Sequence, residues 1–209
     1  NGTVTSSVNL SGSLRHAPLV VDHRLLLHVQ ETTSSSLYVY NTTAATLDLV
    51  ATLGGAPAVP VQLDQTFVFG DSQGLTSVRC EPQCQVVDSL PTRVNGEMAL
   101  VSGNQVFAPV NTPEGGWQTA RLNATGGFVN TGQFSTPYDG YGTSAPEESS
   151  TMLYLGNDAG VLMAFERDDV VAAQEIEDGG VEAMALLGVA SITLALTGSA
   201  MMAKRSRMN

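Results

Sequence analysis

Short apolar runs recur along this chain at intervals near 40 residues, and that spacing limits the folds open to it more than any other feature. Leu27 sits in the first run, Phe67 lies 40 residues further on, Val106 another 39 and Leu153 another 47. Around each, stretches rich in Val, Leu, Tyr and Phe alternate with polar turns, the pattern of an antiparallel meander. The first unit predicts strands over 24–29, 37–41 and 46–53, with 31–36 (Glu-Thr-Thr-Ser-Ser-Ser) as a polar turn. The second predicts 66–70, 75–80 and 84–90; the third 98–101, 105–108, 117–122 and 127–130; the fourth 152–156, 161–165 and 170–173. Residues 3–10 read as one further, lone strand. Three or four strands per unit at such a period is the spacing of a propeller blade. The expected fold is therefore all-β: a β-propeller-like domain over residues 1–177, built of about four antiparallel three- to four-stranded units.

Composition agrees with this class. The 21 Gly and 9 Pro suit a turn-rich β domain. Up to residue 180 the chain holds 19 Asp and Glu against 6 Arg and no Lys. Such a field repels nucleic acid and anionic lipid, which excludes both as partners of this domain.

The chain changes character after residue 177. Residues 178–182 are a short linker, and 183–203 run 21 residues without a charge. As a helix that stretch is about 31 Å long, the thickness of a bilayer's hydrocarbon core. Glu175, Glu177, Asp178 and Glu182 precede it, and Lys204, Arg205 and Arg207 follow in a basic tail, 204–209. Positive charge stays on the cytoplasmic side, so the expectation is a single-pass membrane protein, anchored in lipid, with residues 1–182 extracytoplasmic. Ser191, Ala195 and Ser199 form a small-residue stripe suited to association with a second helix. An exported chain also gives meaning to the sequons. Asn41-Thr-Thr and Asn123-Ala-Thr are candidate glycosylation sites, as are Asn1-Gly-Thr and Asn9-Leu-Ser. Because the chain begins at Asn1 without an initiator Met, the units are expected to be the C-terminal part of a longer propeller, with a ring of four units closed by strand 3–10 as the alternative.

The order Ala-Pro, apolar strand, Gly, then an Asp-x-x-Gly or Asn-Asp-x-Gly turn and a second apolar strand resembles the repeat of PQQ-like β-propellers. Residues 154–165 (Tyr-Leu-Gly-Asn-Asp-Ala-Gly-Val-Leu-Met-Ala-Phe) carry it best, and 68–75 (Val-Phe-Gly-Asp-Ser-Gln-Gly-Leu) next. The chain departs from the pattern in its tryptophan: such repeats close with a Trp that docks one blade on the next, and Trp117 lies mid-unit. The resemblance implies a fold, and the family's members range from assembly scaffolds to quinoprotein dehydrogenases.

The candidate sites are few. Cys80 and Cys84 bracket a tight reversal, which in an exported chain predicts a disulfide, with free thiols as the alternative. His16, His23 and His28 share the first unit, but 23 and 28 point to opposite faces of a strand, against a metal cluster. The turns at Asp71 and Asn157 lack the ligand series of a calcium loop and read as side chain-to-backbone turns closed by Gly74 and Gly160. Glu147 and Glu148 read as solvated edge residues. Tyr138 and Tyr141, in a glycine-rich loop, offer aromatic faces to a sugar or a peptide. We therefore expect a non-catalytic binding or scaffold module that engages a protein or glycan at a rim of the propeller, with no cofactor, metal or catalytic residue. A quinone-dependent dehydrogenase-like enzyme, or a remnant of one, is the alternative; it would need basic and metal-ligating residues converging within a full ring of units.

Overall fold

The short apolar runs form strands, whose pleat sends successive side chains to opposite faces, and each of the four sequence units forms its own antiparallel sheet. The computed structural model describes residues 2–4, 6–102, 104–112, 115–135, 141–142 and 144–166. The linker 178–182, the apolar stretch 183–203, the tail 204–209 and the predicted strand 170–173 lie outside them. No helix of the described residues is long and apolar enough to cross a membrane.

The first sheet contains β1 (Ser13–Leu14), β2 (Leu19–Val21), β3 (Arg24–Gln30), β4 (Ser34–Asn41) and β5 (Thr46–Gly54). The second contains β6 (Val61–Leu63), β7 (Thr66–Gly70), β8 (Gly74–Cys80) and β9 (Cys84–Pro91). The third contains β10 (Ala99–Val101), β11 (Gln105–Pro109), β12 (Trp117–Leu122) and β13 (Phe128–Phe134). The fourth contains β14 (Glu147–Glu148), β15 (Met152–Gly156) and β16 (Leu162–Glu166). Leu27, Phe67, Val106 and Leu153 fall in β3, β7, β11 and β15, the equivalent strand of each sheet. The 40-residue period is thus a structural repeat.

The sheets pack face to face in chain order. Leu26, Leu37, Val39 and Leu53 of the first meet Phe67, Phe69, Val78 and Cys80 of the second. The opposite face of the second, Val68 and Leu75, meets Val106, Ala108 and Leu122 of the third. Phe107 and Trp117, on the other face of the third, meet Leu153, Leu155 and Met163 of the fourth. Trp117 thus docks one sheet on the next, although it stands at the start of a third strand. First strands gather on one side, β6 against β10 and β10 against β14; last strands gather on the other, β5 against β9 and β9 against β13. Each large buried side chain contributes roughly 1.5–3 kcal/mol.

The last strands of the first three sheets carry a register shift at equivalent levels: opposite Leu37/Tyr38, Ser77/Val78 and Thr119/Arg121. A bulge twists an edge away from further pairing, and these three strands are the sheet edges that need it.

Two expectations are corrected. Residues 3–10 form no strand among the described residues; the chain instead crosses the outer face of the first sheet. Tyr40 donates its hydroxyl to Ser6 Oγ at 3.0 Å, Leu10 packs on Leu27, Val29 and Tyr40, and β1 then pairs with the end of β3. Of this segment Leu10 covers apolar surface, while Val4 and Val8 stay exposed. The serine run 34–36 is strand, not turn. Ser35 is fully buried because its hydroxyl donates to the Gly54 carbonyl and receives the His28 Nε2 proton at 2.7 Å, so its polar atom is satisfied inside the sheet.

Candidate functional site

Antiparallel strands place alternate turns at opposite ends, which gives the stacked sheets two unlike rims. One rim carries the hairpin turns at 22–23, 42–45, 64–65, 81–83 and 123–127. The other carries the turns at 31–33, 71–73 and 157–161, together with the connections 55–60 and 92–98 and, after the third sheet, residues 141–142 and 144–146. We call these the hairpin rim and the crossover rim.

On the crossover rim the connecting segments are tied side by side. His16 Nε2 donates to the Pro57 carbonyl at 2.8 Å, Val59 N–H to the Gly96 carbonyl at 3.0 Å, and Ala145 N–H to Glu97 Oε2 at 3.2 Å. Val59 and Glu97 also form a parallel bridge. Two clefts open between these segments and share Asn95 and Gly96. The larger, about 500 Å³, is walled by Arg15, His16, Pro57, Val59 and Glu97. The smaller, about 260 Å³, is walled by Val110, Asn111, Tyr141 and Gly142.

The walls are held from below. Val94 N–H donates to the Asp71 carbonyl at 2.9 Å, Asn95 N–H to Pro109 and Asn111 N–H to the Arg93 carbonyl. Tyr141 N–H donates to Asp158 Oδ1 at 2.9 Å and its carbonyl accepts from Asp158 N–H at 3.0 Å. The glycine-rich loop and the Asn157 turn, separate features in the sequence, therefore meet. Tyr141 remains 41% exposed, its ring at the cleft. Tyr138 lies outside the described residues, as do Lys204, Arg205, Arg207, Ser191, Ala195 and Ser199. Chemically the clefts offer one guanidinium, one imidazole, one carboxylate, two amides and one phenol ring: groups that hydrogen-bond and stack. Among the described residues no group of three or more His, Cys, Asp or Glu could hold a metal ion.

The histidines are dispersed. His16 is on the crossover rim, His23 is exposed in a hairpin turn, and His28 is buried against Phe69, edge to face at 5.5 Å. Burial, reinforced by His16, lowers the His28 pKa to about 4, so His28 is neutral at physiological pH. Its Nδ1 is buried without a partner.

The turns behave as side chain-to-backbone devices. Asp71 Oδ1 accepts from Gln73 N–H at 2.6 Å and Gly74 N–H at 3.1 Å, and Asn157 Oδ1 from Val161 N–H at 2.9 Å. Burial pushes the Asp71 carboxyl above its ordinary range, although the N–H groups of Gln73, Gly74 and Gly54 oppose the shift. Gly160 takes the expected positive φ of 78°, whereas Gly74 does not. Gly74 is a strand residue whose added Cβ would sit 2.3 Å from the Leu90 carbonyl oxygen; close approach, not backbone hand, calls for glycine there. Glu148 accepts from the Ser102 N–H at 2.8 Å, and both Glu147 and Glu148 are exposed.

On the hairpin rim Cys80 and Cys84 are bonded as register partners of β8 and β9. Arg24, from the first sheet, grips this hairpin. Its guanidinium donates to the Cys80 and Pro82 carbonyls, each at 2.9 Å. Arg79 repeats the contact one sheet on, donating to the Ala124 carbonyl at 3.1 Å. Nothing in the local sequence around Arg24 signals this role, since its partners lie more than fifty residues away.

No protein-family model matches the chain, and no curated protein matches it. Among solved structures it is similar to the crystal structure of the computationally designed Ika4 protein. The two are 12% identical with a TM-score of 0.52, over 77% of this chain and 99% of that one. At that identity the likeness concerns the fold alone.

Proposed function

We propose that this chain is a membrane-anchored, extracytoplasmic β-propeller-like module of the PQQ-like kind that binds a protein or glycan partner without catalysis. The observation that carries the reading is the crossover rim: segments from successive units are hydrogen-bonded side by side and leave two adjoining, mixed-polarity clefts. Stacking of three- to five-stranded units in chain order, with first strands together and last strands together, is the arrangement expected of consecutive propeller blades. Propeller rims present loops on a rigid scaffold, the usual place for recognition. The apolar stretch 183–203 and the basic residues Lys204, Arg205 and Arg207 support the anchor and its orientation.

A photo-crosslinking amino acid at Tyr141 or Asn95, in the full-length protein in its own membrane, tests the reading. A discrete adduct from these positions, absent when the same group replaces the exposed Gln83 on the hairpin rim, is the expected outcome. Equal labelling from both rims, or none from either, would sink it. Protease added to intact cells should meanwhile digest the β domain and spare a tag placed after Asn209.

A further inference from the structure

Resting on the extracytoplasmic topology proposed above, we infer that the hairpin rim is a glycan-bearing face, with N-linked glycans on Asn41 and Asn123. The two asparagines occupy the same place in the repeat. Asn41 ends β4 and Asn123 follows β12, each opening the turn between the last two strands of its sheet. In the intervening sheet that turn is the Cys80–Cys84 hairpin. Both sequons therefore face one rim, on either side of the disulfide, opposite the clefts.

Local geometry separates these two sequons from Asn9-Leu-Ser. Asn123 Oδ1 accepts from Thr125 N–H at 2.9 Å, Thr125 Oγ1 at 2.8 Å and Gly127 N–H at 3.0 Å. Asn41 Oδ1 accepts from the Thr43 and Ala44 N–H groups at 2.9 and 3.0 Å. These donors assign the oxygen of each amide, and among the described residues neither Nδ2 has a hydrogen-bond partner. Asn123, Thr43 and Thr125 are exposed and Asn41 is half-buried. In the Asn9 sequon, by contrast, the Ser11 hydroxyl is committed to Glu31 Oε1 at 2.9 Å, on the crossover side, and Leu10 is packed on the first sheet. A sequon is defined by its hydroxyl residue as well as its Asn, so both must be accessible on a surface loop.

The chemistry requires a transferase of the host and a lipid-phosphate-linked oligosaccharide as donor. Asn Nδ2 bonds to the anomeric carbon of the first sugar, the bond from that carbon to the phosphate oxygen breaks, and the lipid phosphate leaves with the electron pair. Nδ2 gives up one proton to a base. No electrons change oxidation level. Glycans placed there would screen the disulfide hairpin and leave the clefts open to a partner.

The test is mass spectrometry of the full chain isolated from its own cells. Glycopeptides are expected at Asn41 and Asn123 and none at Asn9. Asn41→Gln and Asn123→Gln should each remove one glycan's mass. Thr125→Val should remove the Asn123 glycan while keeping the Thr125 N–H bond to the turn, and Thr125→Ser should keep it. Unmodified peptides at both sites, from a domain that external protease digests, overturn this inference alone. Unmodified peptides from a domain that external protease cannot reach overturn the topology with it. A glycan on Asn9 instead of these two overturns the assignment to the hairpin rim.

Discussion

The Arg24 guanidinium donates to the Cys80 carbonyl at 2.9 Å across the junction between the first and second sheets. A second bond to Pro82 makes the fork span the disulfide turn. Arg24 is 12% exposed in its side chain and also lies 3.4 Å from Asp22, so the charge is only partly desolvated. What it organises is the position of a neighbouring hairpin.

Arg24→Ala should lower stability by about 1.5–3 kcal/mol, the range for hydrogen bonds to a charged group. Arg24→Lys should recover only part of this, because an ammonium cannot reproduce the planar fork. Replacing Cys80 and Cys84 by Ala should cost about 2 kcal/mol, the loop-entropy value for so short a ring. A double-mutant cycle from urea denaturation midpoints should give a coupling of at least 0.5 kcal/mol, since both changes loosen one hairpin. Additive losses would show that the clamp and the bond act independently.

His28 should make the fold acid-sensitive. Its folded pKa is lowered to about 4 from an ordinary 6.5, so between those values the unfolded chain binds the proton and the folded one does not. Stability then rises with pH across that window and is lost as pH falls from 6.5 to 4, by roughly 3 kcal/mol at most. His28→Gln retains a donor toward Ser35 and should flatten this slope in denaturation curves taken at stepped pH. An unchanged slope would assign the sensitivity elsewhere.

Asp71 should act with the opposite sign. A carboxyl whose folded pKa is raised contributes stability below its unfolded pKa, and that stability is lost as pH rises through the folded value. At neutral pH its charge is therefore a cost. Asp71→Asn keeps an oxygen for the Gln73 and Gly74 N–H groups and removes the charge; it should be neutral or stabilising at pH 7. The equivalent turn of the fourth sheet already carries Asn157. Asp71→Ala leaves buried N–H groups unpaired and should cost about 1–3 kcal/mol, read from the same melts.

Gly142→Ala should disturb the smaller cleft. A Cβ at 142 would sit 2.6 Å from Trp117 Cζ2 and 2.9 Å from Pro109 Cβ, so the segment carrying Tyr141 and Gly142 must lift. Trp117 is the chain's only Trp and is buried at the junction of the third and fourth sheets, so its emission reports this site alone. A red-shifted, more quenchable emission is expected from Gly142→Ala, with that of Tyr141→Ala close to the wild type. Identical spectra for wild type and Gly142→Ala would show that the contact gives way without moving the cleft.

By itself the sequence determined the elements and their repeat. Short apolar runs around Leu27, Phe67, Val106 and Leu153, bounded by polar turns, mark strands wherever they fall, because strands lying between packed sheets bury both faces. A reversal of three residues between two strand-like runs brings Cys80 and Cys84 together, as the bonded pair shows. Only the tertiary structure decided the rest. The fate of Ser34–Ser36 turned on a buried histidine and a carbonyl nineteen residues away, and Leu10 followed the apolar face it covers instead of a ladder. The clefts depend on segments near 16, 57, 96 and 141 lying side by side, and Arg24 on a hairpin more than fifty residues distant. Strand formation is set by neighbours along the chain, whereas a rim is set by which turns the stacking of sheets brings to one end. That information is held in long-range packing and has no local pattern to read.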